Sequence, residues 1–235
     1  MSLAGNYERV QVLEAHDETA ALRAIRIQLG KEQAAGHSIP GQVVKVRTPP
    51  GEGYFALASA PSPDGRADLL MKRGGRIADA AIEAGQAGGS LELSHPFGKG
   101  FPVREAEGKD VLLFAAGSAI APIRALIQHL LAHRVLFNRL TLFYGQRRGA
   151  DFAFRREYAD WERGGLRVVL CPSAEADAWP GVRGRVQEVA RALAFGGAPP
   201  GETVAFVCGM GPMVDDVRAT LAAAGVPPER VHVNF

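Results

Sequence analysis

Two segments in the second half of the chain have residue types that could hold phosphate groups. Ala116-Gly117-Ser118-Ala119-Ile120-Ala121-Pro122 follows an apolar run. Gly117 permits a sharp turn, and Ser118, Ala119 and Ala121 are small enough for a ligand to approach the backbone. Pro122 suits a first helical turn, where a missing N–H costs nothing. A helix starting here offers free N–H groups and a positive dipole end to a pyrophosphate, though the pattern is also that of an ordinary tight turn. Cys208-Gly209-Met210-Gly211-Pro212-Met213 repeats the logic. Gly209 and Gly211 keep the turn open, and Pro212 starts a helix. Cys208 stands where a nicotinamide ring could lie, although a lone cysteine is usually a small buried apolar residue. Tyr144-Gly145-Gln146-Arg147-Arg148 has no acid for an adenosine ribose, and its two arginines could meet a 2′-phosphate. Equally, Arg147, Arg148, Arg155 and Arg156 could form a solvated face paired with Glu157 and Asp160.

The elements that must position these residues fall into two rhythms. The first hundred residues alternate apolar and polar, as in Ala24–Leu29 and Val44–Arg47, which is the period of a half-buried strand. The spacing predicts strands at Tyr7–His16, Ala20–Leu29, Gln42–Thr48, Tyr54–Ser59, Asp68–Lys72 and Ser90–Ser94. Turn residues such as Pro49-Pro50-Gly51 and Pro63-Asp64-Gly65 separate them. One helix is expected at Arg76–Ala84, with Ile77, Ala80, Ala81 and Ala84 facing inward. These elements imply a six-stranded antiparallel β-barrel with one helix.

The rhythm changes at Arg104–Lys109, so a boundary between residues 104 and 105 is expected. Beyond it, strands at Val111–Ala115, Leu140–Tyr144, Arg167–Cys171, Val204–Cys208 and Val231–Val233 alternate with helices. One helix carries Ile123, Leu126, Ile127, Leu130 and Leu131. The others are expected at Asp151–Arg163, Val186–Leu193 and Pro212–Ala224. The run Val111–Ala115 does not alternate, as for a strand covered on both faces. A doubly wound parallel α/β sheet follows.

The chain has 235 residues, of which 47% are hydrophobic and 22% charged, with a net charge of +2. Globular composition excludes a disordered or fibrous class, and the charge balance gives no sign of nucleic-acid binding. Two cysteines, Cys171 and Cys208, exclude a disulfide framework and a four-cysteine metal or iron–sulfur site. No apolar run approaches the ~18 residues that cross a bilayer, and a cytoplasmic protein is expected. His37, His95, His129 and His133 lack companions at metal-ligand spacing, so no metal is expected. Trp161 and Trp179 read as packing residues.

In order and type, these pieces resemble the ferredoxin–NADP reductase superfamily over about Tyr7 to Phe235. Its flavin signature, Arg-x-Tyr-(Ser/Thr) continued as Ile-Ala-Ser, is similar to Gly53-Tyr54-Phe55-Ala56-Leu57-Ala58-Ser59. The resemblance implies that Phe55 packs on a flavin ring, with Ala56, Leu57, Ala58 and Ser59 beside it. Gly53 replaces the phosphate-pairing arginine and Ala56 the hydroxyl near flavin N5. Met71, Lys72 and Arg73 match a flavin-lining strand. Gly74-Gly75-Arg76-Ile77-Ala78 looks like the flavin pyrophosphate turn, without its hydroxyl at Ala78; Arg73 or Arg76 is expected to restore the charge. Pro96–Phe101, Gly184-Arg185-Val186 and the Cys208-Gly209…Met213 pattern match further. Phe235 matches an aromatic residue that covers the flavin ring near the end of several members.

The resemblance thus implies FAD as cofactor and NADH or NADPH as hydride donor. Gly117, Ser118, Ile120, Ala121 and Pro122, with Tyr144, Gly145, Arg147, Gly209, Met210 and Met213, would hold the dinucleotide. Cys208 and Phe235 would flank the transfer site. Ser173 is not followed by the arginine that often grips a 2′-phosphate, which argues for NADH against the hint from Arg147. The expected activity is flavin-dependent: hydride from NAD(P)H to FAD, then electrons to a separate protein or small-molecule acceptor. The alternatives are a non-catalytic, redox-responsive or partner-binding subunit with weak or no flavin, and a flavin-free dehydrogenase. The electron-transfer subunit of dihydroorotate dehydrogenase, in the same superfamily, carries a cysteine cluster that this chain lacks.

Overall fold

A computed structural model describes residues 7–174 and 179–234. The first sheet is built from β1 (Tyr7–Asp17), β2 (Leu22–Gln28), β3 (Val43–Thr48), β4 (Gly51–Ala56), β5 (Arg66–Lys72) and β6 (Ser90–Ser94). All pairs are antiparallel, in the order β4-β3-β6-β1-β2-β5. The sheet curls so that its two edges meet through a bridge between Leu57 and Leu69 and the hydrogen bond from Ala58 N to Asp68 O (2.7 Å). Alternation decides the inside: Val10, Val12, Ile25, Ile27, Val44, Val46, Leu69 and Met71 form one buried cluster. Each such side chain contributes about 1.5–3 kcal/mol on burial.

Helix α1 (Lys31–Gly36), unforeseen in the sequence, is only six residues long, too short for its periodicity to register. Helix α2 (Arg76–Ala84) lies where expected, and its buried residues are Ala81, as expected, and Ile82. Ile77 and Ala80 are half-buried and Ala84 is exposed, so the inner face is rotated from the expected one. The strand matched to the flavin signature also shifts: β4 starts at Gly51 and ends at Ala56, before Leu57–Ser59 cross to β5.

The second sheet is parallel, in the order β11-β10-β7-β8-β9. Its strands are β7 (Asp110–Ala116), β8 (Leu140–Gln146), β9 (Leu166–Pro172), β10 (Thr203–Cys208) and β11 (Val231–Val233). Alternate residues of β7 feed opposite cores. Val111, Leu113 and Ala115 pack with α3 (Ile120–Ala132) and with Trp161 of α4 (Tyr158–Arg163), whereas Leu112 and Phe114 pack with α5 (Val186–Ala192) and α6 (Gly211–Ala223). Burial on both faces explains the unbroken apolar run. The expected helix Asp151–Arg163 is two 3₁₀ turns and the short α4, because Phe154 adopts a left-handed conformation (φ 59°) that a helix cannot contain.

A separate buried cluster forms where the two sheets meet. Leu22, Ala58 and Leu70 of the barrel join Phe101, Val103, Ala106 and the α3 side of the parallel sheet in one buried cluster. No helix among the described residues is long and apolar enough to cross a membrane.

Candidate functional site

A cavity of about 600 Å³ opens at the carboxyl edge of the parallel sheet. Open α/β sheets bind ligands at this edge. The ends of four strands floor it: Gly117 and Ser118 after β7, Gly145 and Arg147 at β8, Cys171 and Ser173 at β9, Met210 and Met213 after β10. The opposite wall is Thr19, Ala21 and Leu22, at the β1–β2 turn, with Lys72 of β5.

The turn after β7 is shaped for a close ligand. Gly117 has φ +62°, and a Cβ there would meet nothing within 4 Å. No side chain caps the start of α3. Tyr144 is fully buried, and its hydroxyl donates to the Gly117 carbonyl (3.2 Å) while accepting from Gln146 Nε2 (2.9 Å). Tyr144 therefore shapes the turn from beneath. Ile120, Ala121 and Pro122 are buried in α3, and of this segment Ala116, Gly117 and Ser118 line the cavity.

The turn after β10 depends on a close approach. A Cβ on Gly209 would stand 2.2 Å from Met213 Sδ. The Cys-Gly-x-x-x-Met pattern thus lets Met213 fold back over the strand end. Cys208 differs from expectation: it is buried, does not line the cavity, and sends its thiol toward Asn234 O (3.8 Å). Burial pushes the Cys208 thiol up to about 12, and Cys171 equally. Of the two cysteines, Cys171 lines the cavity. Phe235 lies outside the described residues.

Gln187 was not foreseen as a site residue. Its Nε2 donates to Asp216 Oδ2 (3.0 Å), and its buried Oε1 has no partner among the described residues. Gln187 lines the cavity, and a buried acceptor left without a partner is rare in a folded protein. The apolar Val186 beside it and the Gly184-Arg185 turn were its only sequence signal. The exposed Arg147 has no ion pair among the described residues, while Arg185 lies 3.9 Å from Asp216. The free strand-end turns and the orphaned acceptor fit a dinucleotide.

The barrel residues matched to a flavin divide. Gly74 (φ +96°) and Gly75 form an open turn in which a Cβ would meet nothing within 4 Å. No side chain caps α2, although Asp79 accepts the Gly74 N–H (3.0 Å). Arg76 is exposed at the start of this helix. This turn fits a pyrophosphate. The position of the missing arginine does not: a Cβ on Gly53 would lie 2.9 Å from Ile77 Cγ2 and 3.1 Å from Phe55 Cε2. Arg73 is committed elsewhere, donating to Asp17 Oδ1 (2.9 Å) and to Ala20 O (3.4 Å). Phe55 and Ala56 are half-buried; Leu57, Ala58 and Met71 are fully buried, and the Ser59 hydroxyl is held by Asp68 N (2.9 Å).

Residues 113–219 match the family model of the oxidoreductase NAD-binding domain. The whole chain overlays a ferredoxin NADP+ reductase from Neisseria gonorrhoeae, determined with bound FAD and NADP. The TM-score is 0.81 at 19% identity, covering 97% of this chain and 99% of that one. The second half of the chain thus matches an oxidoreductase NAD-binding domain, and the chain has the two-domain fold of a ferredoxin NADP+ reductase. Among curated proteins, the chain is similar to sulfhydrogenase 1 subunit gamma of Pyrococcus furiosus, at 28% identity over 234 residues, covering 97% of this chain and 78% of that one. It is also similar to the reductase component of phenol 2-monooxygenase from Pseudomonas sp. (strain CF600), at 30% identity over 189 residues, 77% of this chain. The chain spans only 52% of that reductase's length, and 58% of a propane 2-monooxygenase reductase from Rhodococcus jostii.

Proposed function

We propose that the chain is an NAD(P)H-dependent flavoprotein reductase, taking a hydride from NADH or NADPH onto FAD and passing electrons to a separate protein or small-molecule acceptor. The observation that carries this reading is the cavity at the strand ends. Its floor comes from the nucleotide sheet and its far wall from the flavin-type barrel. When bound, FAD supplies the redox chemistry, and the protein's part is binding and orientation.

Gly117 and Ser118, with the uncapped start of α3, would receive the dinucleotide pyrophosphate. Gln187 Oε1 would accept a hydrogen bond from the same ligand. Met210 and Met213 would give an apolar, water-excluding wall beside the reacting ring. Cys208, neutral and buried, shapes the strand end and donates no proton there. Backbone N–H groups at Gly75–Ala78, with Arg76, would hold the flavin pyrophosphate. The fully buried Leu57 and Ala58 would support the ring-binding strand from behind. The relatives' names, reductase components of oxygenase systems, favour a protein acceptor.

A second reading has its own support. Ile77 is seated where the family arginine would extend from Gly53, which favours weak flavin binding and a non-catalytic role. A visible spectrum of the purified protein, before and after anaerobic NADH or NADPH, separates the two. A yellow protein bleached by either nucleotide supports the reductase. A colourless protein that FAD cannot reconstitute refutes it.

A further inference from the structure

We propose that Arg124 is a positioning residue that sets how the flavin strand faces the nucleotide turn; the inference rests on the reductase reading above. Arg124 stands on α3, two residues after Pro122, and is only 5% exposed. Its guanidinium is engaged on every side. Nη1 donates to the Ala58 carbonyl (2.6 Å) and to Asp68 Oδ2 (2.9 Å). Nε donates to both Glu157 oxygens (2.9 Å), and Nη2 lies 2.8 Å from the same carboxylate. The guanidinium also sits 4.6 Å from the centre of the Phe154 ring.

These partners lie at the seam. Ala58 and Asp68 are the residues through which the barrel's two edges close. Arg26 holds the second Asp68 oxygen (2.9 Å). One side chain rooted behind the nucleotide turn therefore grips the barrel just past Phe55 and Ala56. On the other side, the buried Phe154 is left-handed, an unfavourable backbone for a bulky residue that persists only where its surroundings impose it. Its N–H donates to Glu18 Oε2 (2.6 Å), and Thr19 and Ala21, just beyond Glu18, line the cavity. Arg124 thus ties both barrel contributions to the helix that starts at Gly117–Pro122. A lysine ammonium carries its three donors on one nitrogen, without the planar fork of a guanidinium, and cannot span the Ala58 carbonyl, Asp68 and Glu157 together.

The test is Arg124→Lys in the FAD-reconstituted full chain. Flavin reduction at saturating NAD(P)H, followed anaerobically by stopped flow, is expected to fall about tenfold or more, the scale of a sub-ångström misplacement. Flavin content and the dissociation constant of NAD(P)+ are expected to stay within about threefold, since Arg124 lines neither site. Amide exchange at Ala58 and Phe154 is expected to accelerate while β7 and β10 keep their protection. Asp68→Asn, which preserves shape and weakens one grip, should give a smaller loss of the same kind and covers the case of an unfolded lysine variant. A limiting rate within twofold of wild type in both variants overturns the proposal. So does a loss explained wholly by released flavin or a raised nucleotide dissociation constant. If the wild-type chain takes no flavin or is not reduced, the reductase reading fails separately. The exchange measurement then decides the tether alone, and unchanged protection at Ala58 and Phe154 overturns it.

Discussion

Adding one methyl group at Gly209 tests the turn after β10. In Gly209→Ala the new Cβ would fall 2.2 Å from Met213 Sδ, 3.4 Å from its Cε and 3.6 Å from its Cγ. Non-bonded heavy atoms need about 3.5–4.0 Å, so the sulfur must retreat by roughly 1.5 Å. Overpacking costs about 1–3 kcal/mol, and methionine's three rotatable bonds put this site near the low end, about 1 kcal/mol. For a chain of this size that lowers Tm by about 2–4 °C. Met213 lines the cavity, so the displaced side chain intrudes on the space proposed for the nucleotide. NAD(P)+ binding, measured by calorimetry, is expected to weaken about fivefold, which is about 1 kcal/mol. The double variant Gly209→Ala/Met213→Ala relieves the clash and should recover much of the affinity, with a coupling above about 0.5 kcal/mol. An unchanged Tm and affinity, or strictly additive single effects, would refute the account of this turn.

Two further outcomes follow from burial. His37 is 5% exposed, its Nε2 has no partner among the described residues, and burial lowers its pKa from 6.5 to about 4. The unfolded chain takes up the proton first, so this histidine costs stability as pH falls from about 6.5 to about 4, by roughly 3 kcal/mol in all. His37→Leu should flatten that part of the acid stability profile in urea titrations; an unaltered slope counts against it. Both thiols are buried and pushed up to about 12, so at pH 8 the folded protein should resist iodoacetamide at Cys171 and Cys208, and denatured protein should be labelled at both, as read by mass spectrometry. Rapid labelling of folded Cys208 would place its thiol in the open site after all.

Patterns of one or two turns were legible in the chain alone. Strict alternation marked the barrel strands, and the unbroken run at Val111–Ala115 marked a doubly covered strand, because side-chain period and burial are local properties of the backbone. Glycine and proline at Gly117, Pro122, Gly209 and Pro212 marked the strand-end turns for the same reason. What tertiary structure alone decided is which side chains face a shared space. Alternation could not tell that Cys208 points to Asn234 while Cys171 lines the cavity, because both end strands of identical rhythm. It could not place Thr19 and Lys72 opposite Gly117, or bring Arg124 to Asp68, since these partners are far apart in the chain and meet only when two sheets dock. Nor could it show that Ile77 fills the space beside Gly53. Local sequence sets the elements; long-range packing sets what each element can touch.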